Sequence, residues 1–327
     1  MLNYFIRLLG YGVLILIGVN LFTFFLFFNV NTPDDMARLN IGGKRVTQEQ
    51  IDKWKSERGY DKPLYWNAAA AGADKLTETV MWERSVSLFA LDFGRSDSAR
   101  SVDIGHEIRT RMWVSLQLAV PLFILQVIAS TAFALLLVFF RHTRIDVWGV
   151  ILCVLLLSIS SLFYIIVGQF FFSRMLHLVP ISGYAGGLDA VKFLILPIFL
   201  SLLSRLGSEA RLYRAMFLEE IGKDYVRTAR AKGLPESLIL FRHVLKNALI
   251  PIITSAGSYL PYVFLGSLVF ESFFGIPGLG AFVIEAIGGQ DFAIVRSMVF
   301  LGALLYIASY ILIDLAYTWA DPRVRLA

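Results

Sequence analysis

The chain has 327 residues, of which 57% are hydrophobic, 14% aromatic and only 17% charged. That is more apolar surface than a soluble domain of this length can bury, so the composition excludes a water-soluble protein and places the chain in a bilayer. The net charge of +5 does not point to nucleic acid, because the basic residues cluster beside apolar spans where topology accounts for them, and the one cysteine, Cys153, lies in an apolar run without Cys/His metal spacing.

Taken in order, Arg7 is followed by an uncharged run over residues 8–30, 23 residues long. A hydrocarbon core needs about 20, so residues 1–30 are expected to form a first transmembrane helix. A secretory signal is the competing reading, but the run is too long for one and no small-residue cleavage site follows it. Residues 31–111 carry 13 basic and 13 acidic residues together with Trp54, Tyr60, Tyr65, Trp66 and Trp82. This predicts a small folded extramembrane domain. Within it residues 48–58 read as a helix opened by Thr47, and the small-residue patch 68–73 fits helix or loop. His106 and the scattered carboxylates form no catalytic constellation and read as solvated surface.

The remainder, 112–327, reads as a five-helix core. Residues 112–140 are uncharged for 29 residues and 147–173 for 27, with the short link 141–146 between them; these are the expected second and third spans. After a turn at Ser182, Gly183, Gly186 and Gly187, residues 193–204 give 12 uncharged positions, so the fourth helix must include Val191 and Lys192 and run toward Arg205. Pro197 inside it predicts a kink. Residues 247–270 are the fifth span and 297–320 the sixth. The expected fold is therefore an all-α polytopic membrane protein with six transmembrane helices.

Lys and Arg counts orient it. The 141–146 link has two, the 214–247 stretch has seven, the tail has Arg323 and Arg325, and residues 271–291 have none. The positive-inside rule then puts both termini and the 214–247 stretch in the cytoplasm and the 31–111 domain outside, since long segments translocate regardless of charge.

The 214–247 stretch is the longest polar interruption in the apolar second half. Phe217, Ile221, Tyr225 and Ala229 recur every fourth residue, with Lys223, Asp224, Arg227, Arg230 and Lys232 around them, which predicts an amphipathic helix. Gly233 follows its basic last turn and suits a helix end, and Pro235 suits the first turn of a second helix carrying Leu238, Phe241 and Leu245. Such a bent pair is either a docking element or a lid on its own protein. On the other side, residues 271–292 contain Pro277 opening a short helix and Gly288 with Gly289 closing it, a re-entrant or interfacial segment that serves as a gate or lip, or as a stiff connector. Glu209 and Asp314, the acids nearest the spans, are expected in solvated or Arg-paired structural roles. Gly257, Gly266, Gly278 and Gly280 suit close packing or turns rather than phosphate binding. There is no G-x-x-x-x-G-K-[ST], H-E-x-x-H or G-x-S-x-G, so no site for hydrolysing nucleotide, peptide or ester is expected and the chain is not read as an enzyme.

Residues 225–233, YVRTARAKG, and 241–251, FRHVLKNALIP, resemble the cytoplasmic coupling motif of bacterial ABC-transporter permeases of the dipeptide and oligopeptide branch. The resemblance extends through GIPGLG at 275–280, IRLL near the start, DKPL at 61–64, DFGRS at 92–96 and Asp321, Pro322, Arg323 at the end. Where the general permease motif begins Glu-Ala-Ala and ends Leu-Pro, Arg227, Thr228, Ala229 and Leu245, Lys246 stand here, as is common in the peptide branch. Met112 and Trp113 replace a frequent Leu-Pro, and the outer domain is extended around 67–90.

The resemblance implies an inner-membrane permease subunit of an ATP-driven peptide importer, multi-pass in the bacterial cytoplasmic membrane. It would bind no cofactor itself, ATP being used by partner ATPase subunits. Its implied partners are a second homologous permease chain, cytoplasmic ATP-binding subunits, a periplasmic substrate-binding protein, the peptide and membrane lipid. Coupling would fall to Arg227, Thr228, Ala229 and Gly233, supported by Tyr225, Lys232, Phe241 and Arg242, and the periplasmic gate or lip to Glu271, Pro277, Gly278 and Gly280. The rival is a self-sufficient channel or ion-coupled secondary transporter, against which the spans lack charge pairs and an obvious inverted repeat; a membrane scaffold recruiting a partner through the same loop is the third class.

Overall fold

The structure, a computed structural model, describes residues 2–42, 46–98 and 100–320, and side chains within 6–316 of these. The Asp321, Pro322, Arg323 motif and the basic tail lie outside the described residues. Helices dominate. α1 (Leu2–Val30) contains the first apolar run and ends where polar sequence begins. α2 (Pro33–Ile41) starts with a capping box in which Thr32 and Asp35 satisfy each other's backbone N–H, and α3 (Gln48–Arg58) starts at Thr47, whose N–H donates to Gln50 Oε1 at 3.1 Å. The small-residue patch at 68–73 is turn and loop, followed by the short α4 (Asp74–Thr77) and α5 (Val80–Ser85).

α6 (Ile104–Phe139) carries the second apolar run. The expected third span is not one helix: α7 (Arg144–Ser158) stops at Ile159, and α8 (Ser161–Gly168) starts afresh, extended by a π turn over Gln169–Met175. The two halves meet at 89°. The cause is local, since Ser160 takes an extended conformation and its hydroxyl accepts the Phe163 N–H at 3.3 Å, a capping bond that begins a new helix. α9 (Ala190–Ile221) includes Val191 and Lys192 as expected, runs through Pro197, and continues well beyond Arg205. α10 (Asp224–Ala231) follows after the break at Gly222. α11 (Glu236–Leu238) leads through a π turn, Ile239–Val244, into α12 (Leu245–Gly257). Together they make a 22-residue helix, so the fifth apolar helix begins eleven residues before the position expected from charge alone. Beyond it come α13 (Leu260–Leu265), α14 (Leu268–Phe274), α15 (Leu279–Gly288) and α16 (Phe292–Ala320). Among the described residues, five helices are long and apolar enough to cross a membrane, rising to seven if each of two broken pairs is one span.

The chain divides into two compact units. The first holds residues 1–113 with 279–308. The segment after α1 is not self-contained: Phe24 and Phe28 of α1 share a core with Met36, Ile51, Trp54, Tyr60 and Val80. Asp97, 1% exposed, accepts from the Tyr60 hydroxyl at 2.9 Å and the Ala293 N–H at 3.1 Å, while Asp291 accepts from the N–H groups of Asp97 and Ser98 and from the Ser96 hydroxyl. A carboxylate on each partner thus binds the DFGRS region to the start of α16.

The second unit holds 114–278 and the chain from 309. Here α7 and α9 approach closely because Gly207 has no side chain: a Cβ there would overlap the Cys153 carbonyl oxygen. Gly257 plays the same part against Ile313. Tyr213, Phe217, Ile221, Val226, Ala229, Ile239, Val244, Ala248 and Ile252 form a buried cluster with Ala134, Leu135 and Val138 of α6.

Candidate functional site

Eight residues were expected to carry coupling, and the structure puts Tyr225, Arg227, Thr228, Ala229, Lys232 and Gly233 on α10 and the turn that ends it. The end of α10 follows from its sequence. Gly233 adopts φ +77°, its N–H donates to Arg230 O at 2.9 Å, and the Leu234 N–H reaches back to Ala229 O at 3.4 Å. This pair of bonds is a Schellman motif, which needs a residue free to take positive φ just past the helix. Leu234 then packs on the buried cluster.

The four-residue apolar repeat is real in burial but not continuous in backbone. Phe217 and Ile221 lie on α9 and Ala229 on α10, with Gly222 between, and Val226 is the fully buried member of α10 while Tyr225 is half-buried. The apolar face of α10 is therefore spent on its own chain. What it leaves in solvent is polar: Arg227, Thr228, Lys232 and Gly233 are exposed. Arg227 pairs with Asp224 at 3.4 Å, with both side chains largely in solvent. Of the second helix's Leu238, Phe241 and Leu245, read at helical spacing with docking and lid both open, Leu238 and Phe241 are exposed, at 38% and 64%, and Leu245 packs partly on the cluster, while Ile239, Leu240 and Val244 are the buried residues. The π turn over Ile239–Val244 carries an extra residue per turn, which rotates the face read from ordinary helical spacing. Phe241 lines an apolar groove with Phe139 and Phe140, and Arg242 is exposed.

Sequence reasoning missed the charged groups that fix this turn. Glu236 accepts two bonds from Arg230, 3.1 Å from Nε and 2.6 Å from the other nitrogen, and a third from Arg141 at 3.4 Å. The Arg230 hydrogen bonds hold the Glu236 carboxyl below its ordinary range and push the Arg230 guanidinium up. On the near side, Glu220 accepts from Tyr225 Oη at 2.6 Å and pairs with Lys223. Burial, then the Glu220 bond, pushes Tyr225 up to about 12. Arg214 makes a bidentate pair with Asp146 at 2.9 and 2.8 Å, tying α9 to α7. A signal for one of these was present, because Arg230 and Glu236 flank the Gly-Leu-Pro turn.

Of the second expected group, Glu271 and Gly278 come together. Glu271 is fully buried; its Oε1 accepts the Ser267 N–H at 3.1 Å, and its carbonyl accepts the Ile276 N–H at 2.9 Å. A Cβ on Gly278 would overlap the Glu271 carboxylate and stand 2.5 Å from Ser115 Oγ, and one on Gly266, at φ +74°, would meet the same two groups. Two glycines thus make room for one buried carboxylate. Pro277 is exposed at the turn, and Gly280 is buried near the start of α15.

Glu209 departs from the expected solvated or Arg-paired role. It is 3% exposed, and Ser130 Oγ donates to its Oε2 at 3.3 Å.

Residues 110–326 match the family model described as binding-protein-dependent transport system inner membrane component, and residues 1–71 match its N-terminal companion. A Brucella abortus (strain 2308) protein named for a peptide transport system permease is 32% identical over 298 residues, covering 90% of each chain. The oligopeptide transport system permease protein OppB of Escherichia coli (strain K12) is 31% identical over 234 residues, covering 72% of this chain and 76% of that one.

Proposed function

The chain belongs to the family of binding-protein-dependent transport system inner membrane components, and from that premise we propose that it is a permease subunit of an ATP-driven peptide importer. The peptide specificity is that of the relatives' names, carried to this chain by 90% mutual coverage. The observation that carries the coupling role is the division of α10 into two faces. Val226 and Ala229 anchor it to α6, α9 and α12, while Arg227, Thr228, Lys232 and the Gly233 turn stay free for a partner.

Mechanically, such a helix acts as a handle. A close-packed apolar cluster deforms little, so a displacement of α10 moves the helices it is packed on rather than being absorbed. The Glu236 bonds to Arg230 and Arg141 keep the handle aligned with the end of α6. A partner ATPase closing on ATP would supply the displacement, and the spans would respond by switching access from one side to the other. Tyr225 and Lys223, both held by Glu220, fix the root of the handle.

Six spans follow if the 144–175 pair counts as one span and the 260–288 segment is re-entrant; this keeps both basic loops and both termini in the cytoplasm, residues 31–111 in the periplasm and 271–280 at the outer lip. The buried Glu271 would then pin the lip. A single-cysteine series on a Cys153→Ser background tests the topology: an impermeant maleimide should label Ala69→Cys from outside and Thr228→Cys only after the membrane is opened. The transport reading is tested by reconstituting the chain with its ATPase, second permease and binding protein in lipid. Peptide-stimulated ATP hydrolysis with peptide uptake supports it; peptide flux through this chain alone, independent of ATP, would replace it with the secondary-transporter reading.

A further inference from the structure

Within the second unit, α6, α9 and the segment from α12 to α14 enclose a cavity of about 190 Å³. Its lining is mostly apolar, with one polar corner. α9 supplies Arg205 and Glu209, four residues apart and so on one face, and α6 supplies Gln126. Gln126 Nε2 donates to Ser130 Oγ at 3.0 Å, and Ser130 donates to Glu209 Oε2. The other carboxylate oxygen, Glu209 Oε1, has no hydrogen-bond partner among the described residues, and neither has Gln126 Oε1. Arg205 lines the same corner without a direct ion pair to Glu209 among the described residues, and its guanidinium lies 5.4 Å from the centroid of the Tyr259 ring.

A buried carboxylate oxygen facing an apolar cavity is unfavourable unless a donor or cation fills the space beside it. Glu209 Oε1 and Gln126 Oε1 are acceptors without a donor, and the Tyr213 hydroxyl of the same lining has no partner among the described residues either, an arrangement that a ligand rich in N–H donors, such as an ammonium group, satisfies. Tyr259 and Tyr262 line the same cavity, and aromatic rings favour a neighbouring cation. The volume lies below the roughly 300–1,000 Å³ of pockets that enclose a whole drug-sized ligand, so the site takes the end of a chain rather than its full length.

We propose that Glu209, with Gln126, binds the α-ammonium group of a peptide passing through this chain. The proposal rests on the reading of the protein as a peptide permease. The site recognises the charged end common to all peptides and leaves the side chains beyond it unread, which suits a pathway that must release what it binds.

The test uses the assembled importer in lipid nanodiscs without its binding protein, so that only the membrane subunits select. Binding of radiolabelled trialanine, N-acetyl-trialanine and trialanine amide is measured. Wild type should bind trialanine and its amide at least about tenfold more tightly than the acetylated peptide, as expected for a buried charge pair. Glu209→Gln should lower the first two to the acetylated level and leave the acetylated peptide unchanged, and Glu209→Asp should retain a preference. The wild-type comparison needs no variant, so it decides even if Glu209→Gln does not assemble. Equal binding of free and acetylated peptide, no binding of any, a preference lost on amidation instead, or an equal loss for all peptides in Glu209→Gln overturns the proposal. ATP-dependent uptake by the same wild-type importer with its binding protein is measured in parallel. Its absence for every peptide defeats the transport reading, whereas uptake without amine preference defeats this inference alone.

Discussion

Replacing Gly233 with valine tests whether the coupling turn depends on backbone conformation alone. Nothing lies within 4 Å of where a Cβ would stand, so the substitution meets no steric neighbour, yet φ is +77°. The left-handed region costs an L-residue about 1–2 kcal/mol, and a β-branched side chain belongs at the upper end. Loss of glycine's freedom in the unfolded chain offsets about 0.4–1 kcal/mol. The net is roughly 1–1.6 kcal/mol against the Schellman turn, which shifts its local opening about 5- to 15-fold, taking about 1.4 kcal/mol per decade. Hydrogen exchange at the Gly233 and Leu234 amides should report that factor directly, and peptide-stimulated ATP hydrolysis should fall with it. Gly233→Asn, which tolerates positive φ, should retain most protection, and Gly233→Ala should fall between. Valine behaving like glycine, or asparagine losing as much as valine, would refute the reasoning.

Three further outcomes are expected. Glu236→Gln removes the clamp on Arg230 and Arg141; because all three side chains are partly solvated, the cost should be only about 0.5–1 kcal/mol, read as faster exchange in residues 230–234. Since Glu236 titrates below its unfolded value, its contribution is present above the ordinary carboxylate range and lost as pH falls through the lowered folded value, so the wild-type advantage over Glu236→Gln should vanish in acid and persist at neutral pH. Gly278→Ala forces a methyl onto the Glu271 carboxylate and Ser115, an overpacking cost of about 1–3 kcal/mol in thermal unfolding, whereas Gly288→Ala, with nothing within 4 Å and a helical position, should be neutral or slightly stabilising. Asp97→Ala strands the Tyr60 hydroxyl and the Ala293 N–H in a buried site and should cost about 1–3 kcal/mol; an unchanged melting temperature would mean that water replaces the carboxylate.

Some features of this protein were fixed by local composition. Long uncharged runs must be helical in a bilayer because the backbone has no other way to satisfy its polar groups, and α1, α6, α9 and α16 appear where those runs lie. Thr47 announced α3, and a glycine after a basic turn announced the end of α10, since capping and positive φ are decided by a few adjacent residues. The family resemblance was legible for the same reason, being carried by short contiguous motifs.

Tertiary structure decided which faces and charges mattered. Period-four spacing put Phe217, Ile221, Tyr225 and Ala229 on one helix, but the break at Gly222 divides them between two and the π turn at Ile239–Val244 resets the phase beyond, so Val226 is buried where Tyr225 is only half-buried, and Ile239 and Val244 are buried where Phe241 is exposed. The Ser160 cap that bends the third apolar run is a single local bond competing with helix propagation, and hydropathy cannot register it. Glu209 looked like an acid near a membrane surface because sequence gives depth along one helix only. That it is buried beside Gln126 and Ser130 depends on α6 lying against α9, and the bond to Ser130 joins residues 79 positions apart. Pattern along the chain sets where helices form, because backbone satisfaction is local. Which side chains meet across them, and which are left unsatisfied, is a property of packing that no window of sequence contains.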